Sequence, residues 1–130
     1  MYNLPNLHHQ RLKKIESTHT YAKNHYNKLY PGQWMLYSAA QQTAGIGSNS
    51  RNWHSPVDVN IYATYSFLIA EKQVDKLPLI PQTICLQVSK LLEMHNIKST
   101  IKWVNDVLVD QKKICGILAE SSSKIFVDNN

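Results

Sequence analysis

Ile84, Val88, Leu91 and Leu92, closed by His95, recur at i, i+4, i+7, i+8 and i+11, the spacing of an amphipathic helix over residues 82–96. Upstream, residues 59–68 alternate around Ile61, Ala63, Tyr65 and Phe67 and predict a strand. Residues 33–41, rich in aromatic and small side chains, predict another. Ser17-Thr18 supply an N-cap ahead of Tyr21-Ala22-Lys23, so a short polar helix is expected up to about Tyr30, where Pro31-Gly32 turns the chain. Between the two strands, residues 42–56 show no period and read as a long loop, of the kind that is functional or mobile in compact domains. Residues 76–81 connect to the long helix. Beyond it, residues 100–104, 107–109 and 113–120 are short β-rich runs, with Asp110-Gln111-Lys112 as a hairpin turn, and residues 125–127 begin one more strand. The order helix, strand, strand, helix, strand cluster predicts an α+β fold with a mixed, largely antiparallel sheet flanked by helices. A final strand of three residues needs a neighbour for its backbone hydrogen bonds, so the fold reads as incomplete at Asn130.

Composition narrows the class. The 130 residues suit one small domain, and 43% hydrophobic against 18% charged residues allow a real core, which argues against disorder and against a disulfide-dense mini-protein. Cys85 and Cys115 stand in unrelated contexts and read as two reduced thiols. The longest apolar stretch, residues 61–70, is interrupted by Thr64 and Ser66 and falls short of the roughly 20 residues that span a bilayer. No charged head followed by an apolar run opens the chain, so the cytoplasm is the expected compartment. The formal charge of +5 is spread over Arg11, Lys13, Lys14, Lys98, Lys102, Lys112, Lys113 and Lys124. Single lysines flanking strands suit a small anionic ligand such as a nucleotide as well as they suit nucleic acid. His8-His9 lack carboxylate or cysteine partners and read as solvated; His25 and His54 are scattered, and His95 reads as a boundary residue of the helix.

Three segments carry candidate chemistry. The glycines of residues 42–51 let a backbone approach a phosphate or carboxylate, although no Gly-Lys-Ser/Thr follows and a plain surface loop has the same composition. Lys102-Trp103-Val104-Asn105-Asp106 offers a lysine for phosphate, an amide for a polar edge and a carboxylate for Mg²⁺ or a ribose hydroxyl; a turn beside a solvated lysine reads equally well. Lys112-Lys113 lead into a strand carrying Gly116, where a ligand can come close or where a bulge sits.

Together, and in this order, the segments resemble the catalytic domain of biotin protein ligases. Ser17-Thr18-His19 is similar to the family's Ser-Thr-Asn before a helix. Gln42-Thr43-Ala44-Gly45 and Gly47 resemble its Gln-Thr-Ala-Gly-Arg-Gly-Arg loop, Arg51-Asn52-Trp53 its Arg-x-Trp, and Ser55-Pro56 its Ser-Pro. Lys102 to Asp106 resembles Lys-Trp-Pro-Asn-Asp, and Lys113 to Glu120 resembles Lys-Ile-x-Gly-Ile-Leu-x-Glu. The likeness runs from about Leu12 to Glu120.

The resemblance implies a class II aminoacyl-tRNA synthetase-like fold, with residues 1–130 as the N-terminal and central part of the catalytic domain, lacking a winged helix and a C-terminal domain. It implies ATP-dependent activation of biotin to biotinyl-5'-AMP and transfer to a lysine of the biotin carboxyl-carrier domain of acetyl-CoA carboxylase. Lys113, Lys102 and Asp106 would be catalytic; Ser17, Thr18, His19, Gln42, Gly45, Gly47, Lys113 and Gly116 would hold biotin. Ser48, Arg51, Trp53, Lys102, Asn105 and Asp106 would serve the nucleotide, with Asp106 also a Mg²⁺ ligand and a base for the incoming lysine. The implied partners are biotin, ATP, the carrier domain and a second copy in a homodimer, with no DNA and no membrane.

The chain departs from the pattern at four places. Ile46 and Ser48 stand where the loop has arginines, and neither supplies the fixed cation and charge-assisted bonds of a guanidinium. Val104 replaces proline and His19 replaces asparagine. The loss of the loop arginines and of later strands keeps open a non-catalytic biotin- or adenylate-binding remnant. A lipoate or octanoate transferase is a third reading, disfavoured by the Lys-Trp-x-Asn-Asp signature.

Overall fold

A computed structural model describes residues 6–122, which divide between Ala70 and Glu71 into an N-terminal and a C-terminal unit. The strand expected over residues 125–127 lies outside the described residues.

The N-terminal unit is built on a mixed three-stranded sheet in the order β1 (Asn6–Ile15), β2 (Gln33–Gln42), β5 (Tyr62–Phe67). β1 runs parallel to β2, in register from Asn6 opposite Gln33 to Ile15 opposite Gln42, and β5 runs antiparallel to β2. Helix α1 (Thr18–His25) follows β1 and packs on β2 and β5, and a 3₁₀ turn, Tyr26–Lys28, continues it. Ser17 caps α1: its hydroxyl accepts the Thr20 N–H at 3.3 Å. Ala22, Leu29, Tyr37, Ala39 and Tyr62 form the core.

Sequence reading missed β1, and its side chains explain why. Only Leu12 and Ile15 are half-buried; the other eight positions are exposed. An edge strand held by backbone bonds to one neighbour needs no apolar alternation, and lysines along it discourage further pairing. The expected strand over residues 59–68 is found as β5, with its sides reversed: Tyr62 is buried while Ile61 is 92% exposed. Tyr62 and Thr64 lie on the side that meets α1, so the polar member of the alternation, not the apolar one, faces inward.

Residues 42–56 are more ordered than a loop. β3 (Gly45–Ile46) pairs antiparallel with β4 (Asn52–Trp53), and Gly47 N–H donates to Arg51 C=O at 2.7 Å. Asn49 and Ser50 make the reversal with φ of 57° and 56°.

In the C-terminal unit, a 3₁₀ segment, Glu71–Leu79, leads into α2 (Ile80–Met94), whose Pro81 sits in the first turn, where a missing N–H costs nothing. α2 packs on a second three-stranded sheet in the order β6 (Thr100–Lys102), β7 (Asp106–Val109), β8 (Lys112–Gly116), antiparallel throughout. Cys85 and Val107 are both 0% exposed and form its core. The inward stripe of α2 is the buried Cys85 flanked by the half-buried Pro81, Val88, Ser89 and Leu92; Ile84 and Leu91, expected inside, are exposed, as is the boundary residue His95. β7 and β8 are joined by Asp110 and Gln111, with φ of 49° and 63°, the two-residue turn that matches strand twist. β6 ends at Lys102, short of the expected residue 104, and β8 ends at Gly116, short of the expected residue 120. After them the Asn105 carbonyl accepts from Ile117 N–H and its side-chain amide donates to Ile117 C=O, both at 2.9 Å. No helix among the described residues is long and apolar enough to cross a membrane.

Candidate functional site

The parallel register of β1 on β2 brings the Ser17-Thr18 step against the end of β2. Thr43 N–H donates to Ile15 C=O at 2.9 Å and Ala44 N–H to Glu16 C=O at 2.8 Å, which locks the two segments together. Thr18 then donates twice to Gln42 Oε1, from its backbone N–H at 2.8 Å and from its hydroxyl at 3.1 Å. The Gln42 amide donates to Ser55 Oγ at 3.0 Å, and Ser55 Oγ donates to the Trp53 carbonyl at 3.0 Å. Thr64 on β5 donates to the Thr18 hydroxyl at 2.9 Å. Ser17, Thr18 and Ser55 are all buried, so these bonds satisfy groups that water does not reach.

Gly45 is part of the same construction. A Cβ there would stand 2.6 Å from the Trp53 carbonyl oxygen, 2.8 Å from Ser55 Oγ and 2.9 Å from Gln42 Nε2, so only glycine fits. Gly47 is different: its nearest contacts, Arg51 O at 3.4 Å and Trp53 Cε3 at 3.6 Å, leave room for a methyl group. Arg51 is the one lysine or arginine of residues 42–56, and it folds back on the turn. Its backbone N–H and its Nε donate to the Ser48 carbonyl at 3.3 and 3.1 Å. Trp53 is half-buried in β4 opposite Gly45, and His19 is half-buried in the first turn of α1.

The C-terminal unit gathers a charged set. Lys102 on β6 lies directly across from Asp106 on β7, and Asp106 lies directly across from Gly116 on β8. Lys113 Nζ meets Asp106 Oδ1 at 2.6 Å, with side-chain exposures of 37% and 15%. Lys102, Asp106 and Gly116 thus share one row, with Lys113 bonded into it and Asn105 adjoining it. Lys102 is exposed, so this row presents positive charge to solvent. Burial pushes the Cys85 and Cys115 thiols above their ordinary value; Asp106 adds to the shift and Lys113 opposes it. Both cysteines are free.

A Mg²⁺ ligand role for Asp106 does not fit this donor set. The carboxylate is engaged by Lys113, and Lys102 lies directly across from it, so two cations already face the oxygens a metal would need.

Each unit therefore assembles its own share of the residues singled out from sequence: Ser17, Thr18, Gln42 and Gly45 in one, Lys102, Asn105, Asp106, Lys113 and Gly116 in the other. Gly47, Ser48 and Arg51 belong to the β3–β4 hairpin. Sequence reasoning gave no role to Ser55 or Thr64. Ser55 sits in the quoted Ser-Pro step, which could have marked it; Thr64 carries no local signal, because its meaning depends on the pairing of β2 with β5.

The chain matches the Biotin/lipoate A/B protein ligase family over residues 12–129. It is 27% identical over 113 residues to the bifunctional ligase/repressor BirA of Escherichia coli K12, covering 87% of this chain and 35% of that protein. It is 33% identical over 111 residues to BirA of Bacillus spizizenii, covering 85% and 34%. Its fold is similar to that of biotin protein ligase from Aquifex aeolicus in complex with biotin and ATP, with a TM-score of 0.69 and 32% identity, covering 88% of this chain and 47% of that one. The biotin protein ligase of Leishmania major in complex with biotinyl-5-AMP gives a TM-score of 0.68 at 31% identity, covering 92% and 53%. The chain spans about a third of the length of these BirA relatives and about half of the solved ligase chains. These likenesses show the α+β, class II synthetase-like fold expected from the motifs, and with the match over residues 12–129 the chain belongs to the Biotin/lipoate A/B protein ligase family.

Proposed function

We propose that this chain binds biotin and ATP, forms biotinyl-5'-AMP and passes the biotinyl group to a lysine of a biotin carboxyl-carrier domain. The observation that carries the reading is the closure of Ser17-Thr18 on Gln42 and Gly45, a dense neutral hydrogen-bonding cluster suited to the urea ring of biotin. It is supported by the likeness to a ligase structure holding biotin and ATP.

In the first step a biotin carboxylate oxygen bonds to the α-phosphorus of ATP, the bond to the β-phosphate oxygen breaks, and pyrophosphate leaves. Two anions must meet, so the protein's task is charge neutralisation and positioning. Lys113 takes the carboxylate and the developing adenylate, and Asp106 holds its ammonium in place at 2.6 Å. Lys102 and Arg51 serve the phosphates, which bring their own Mg²⁺; Asn105 and Trp53 take the nucleoside. In the second step the carrier lysine's amine attacks the acyl carbon, AMP leaves, and the amine proton goes to Asp106 or to water.

Ile46 and Ser48 place no cation at the hairpin, so the adenylate is held more loosely than an arginine clamp would hold it. This observation also favours a second reading, a biotin- or adenylate-binding protein without transfer. The two are separated by incubating the chain with labelled biotin, Mg-ATP and a carrier domain. Labelled carrier is expected; biotin binding with no adenylate and no labelled carrier would leave the second reading. Lipoate offered in place of biotin is expected to give no product.

A further inference from the structure

The hydrogen bonds around Gln42 form a chain with a single direction. The Thr64 hydroxyl donates to Thr18, the Thr18 hydroxyl donates to Gln42 Oε1, Gln42 Nε2 donates to Ser55, and Ser55 donates to the Trp53 carbonyl. Because Thr64 gives its proton to Thr18 Oγ1, the Thr18 proton is forced toward Gln42, and Oγ1 is left with a lone pair rather than a proton to offer. Because Gln42 Oε1 already accepts from the Thr18 N–H and hydroxyl, the amide can offer a ligand only its second N–H. The cluster therefore shows a donor beside an acceptor. A cyclic urea shows the complement, a carbonyl beside an N–H.

We infer that Thr64 and Ser55 are positioning residues that set this polarity and so select a urea edge, acting through Thr18 and Gln42 rather than by touching the ligand. The inference rests on the biotin reading and deepens it. Thr64 reaches Thr18 across 46 positions of sequence, and Ser55 reaches Gln42 across 13, so both are placed by the fold for this one cluster. With Oε1 accepting two hydrogen bonds from Thr18 and Nε2 donating to Ser55, the Gln42 amide is held in this orientation.

The test compares the full chain with Thr64→Val, which keeps the shape and removes the hydroxyl, with Thr64→Ser, which keeps the hydroxyl, and with Ser55→Ala. Titration with biotin and with 2-iminobiotin, which carries an N–H group where biotin has its carbonyl oxygen, reads the polarity. Thr64→Val is expected to weaken biotin and 2-iminobiotin alike, about fivefold to tenfold, the value of one neutral hydrogen bond, because both keep the ring N–H that Thr18 accepts. Ser55→Ala, which releases the Gln42 amide facing the carbonyl position, is expected to weaken biotin and to leave 2-iminobiotin nearly unchanged, narrowing the preference between them. Thr64→Ser restores the affinity for both, and ATP affinity does not move. No weakening by Thr64→Val, or equal weakening of both ligands by Ser55→Ala, overturns the inference while leaving biotin binding standing. A folded parent chain that binds no biotin overturns the biotin reading and the urea selection with it. A ligand-free readout keeps the positioning claim open to refutation: the Gln42 side-chain amide should give a slowly exchanging pair of proton–nitrogen signals. Ser55→Ala should move that pair to the solvent-exposed position, and an unmoved pair contradicts the role given to Ser55.

Discussion

Around Gln42 the polar groups are neutral hydroxyls and amides, buried or half-buried and bonded in sequence; around Asp106 a carboxylate stands between two lysines that remain open to water. The two regions answer different physical demands. A neutral ring is told apart from its analogues only by hydrogen-bond direction, so its site has to be dry and fixed. Anions are drawn by charge over a longer range, so cations can work from a half-exposed sheet row, and Lys113 needs only one partner to hold it.

The sharpest way to break the comparison is to remove the charge from the second region. Lys113→Ala is expected to lower adenylate formation by at least about a hundredfold, read as pyrophosphate release, because a preorganised charge-stabilising group is lost where two anions meet. Unchanged turnover would sink the role given to the charged row. Removing the glycine cradle tests the neutral region. Gly45→Ala forces a methyl group to within 3 Å of a backbone oxygen, a hydroxyl and an amide. It should cost about 1–3 kcal/mol of stability and most of the biotin affinity, whereas Gly47→Ala should cost little. Melting curves and biotin titration of the two variants check this, and equal effects would refute the cradle.

The sequence made some of this legible and hid the rest for definite reasons. The Ser17 cap, the Asp110-Gln111 turn and α2 carry strong local chemistry, and they stand where the pattern put them. β1 was hidden because an edge strand made of His8, His9, Arg11, Lys13 and Lys14 buries almost nothing, yet it is the element that carries Ser17-Thr18 to Gln42. The sides of α2 and β5 were hidden because Cys85 and Thr64, small or polar, face inward while Ile84 and Ile61 face out. Which side is inside depends on what packs there, and periodicity alone does not say. Thr64 and Ser55 were hidden for the same reason: their function is a bond to residues distant in sequence.

Smaller effects sharpen the contrast. Ser48→Arg adds a cation to the hairpin that already holds Arg51, and is expected to slow escape of biotinyl-5'-AMP about tenfold, one charge-assisted hydrogen bond's worth. Equal release of free adenylate by both proteins would remove the hairpin from the account. In the C-terminal unit, the raised Cys85 and Cys115 thiols keep their protons to higher pH when folded than when unfolded. The stability this gives is complete below the ordinary value of 9.0 and is lost as pH rises through the raised values. Melting temperature followed from neutral pH to above that value should fall further in the parent chain than in a Cys85→Ala, Cys115→Ala variant.

The measurement closest to the central claim is isothermal titration of the full chain with biotin, with and without Mg-ATP, after circular dichroism has shown it folded. Binding of biotin that tightens when Mg-ATP is present is the predicted result, because forming the adenylate requires both substrates to be held together. A folded chain that takes up no biotin under either condition would contradict the account.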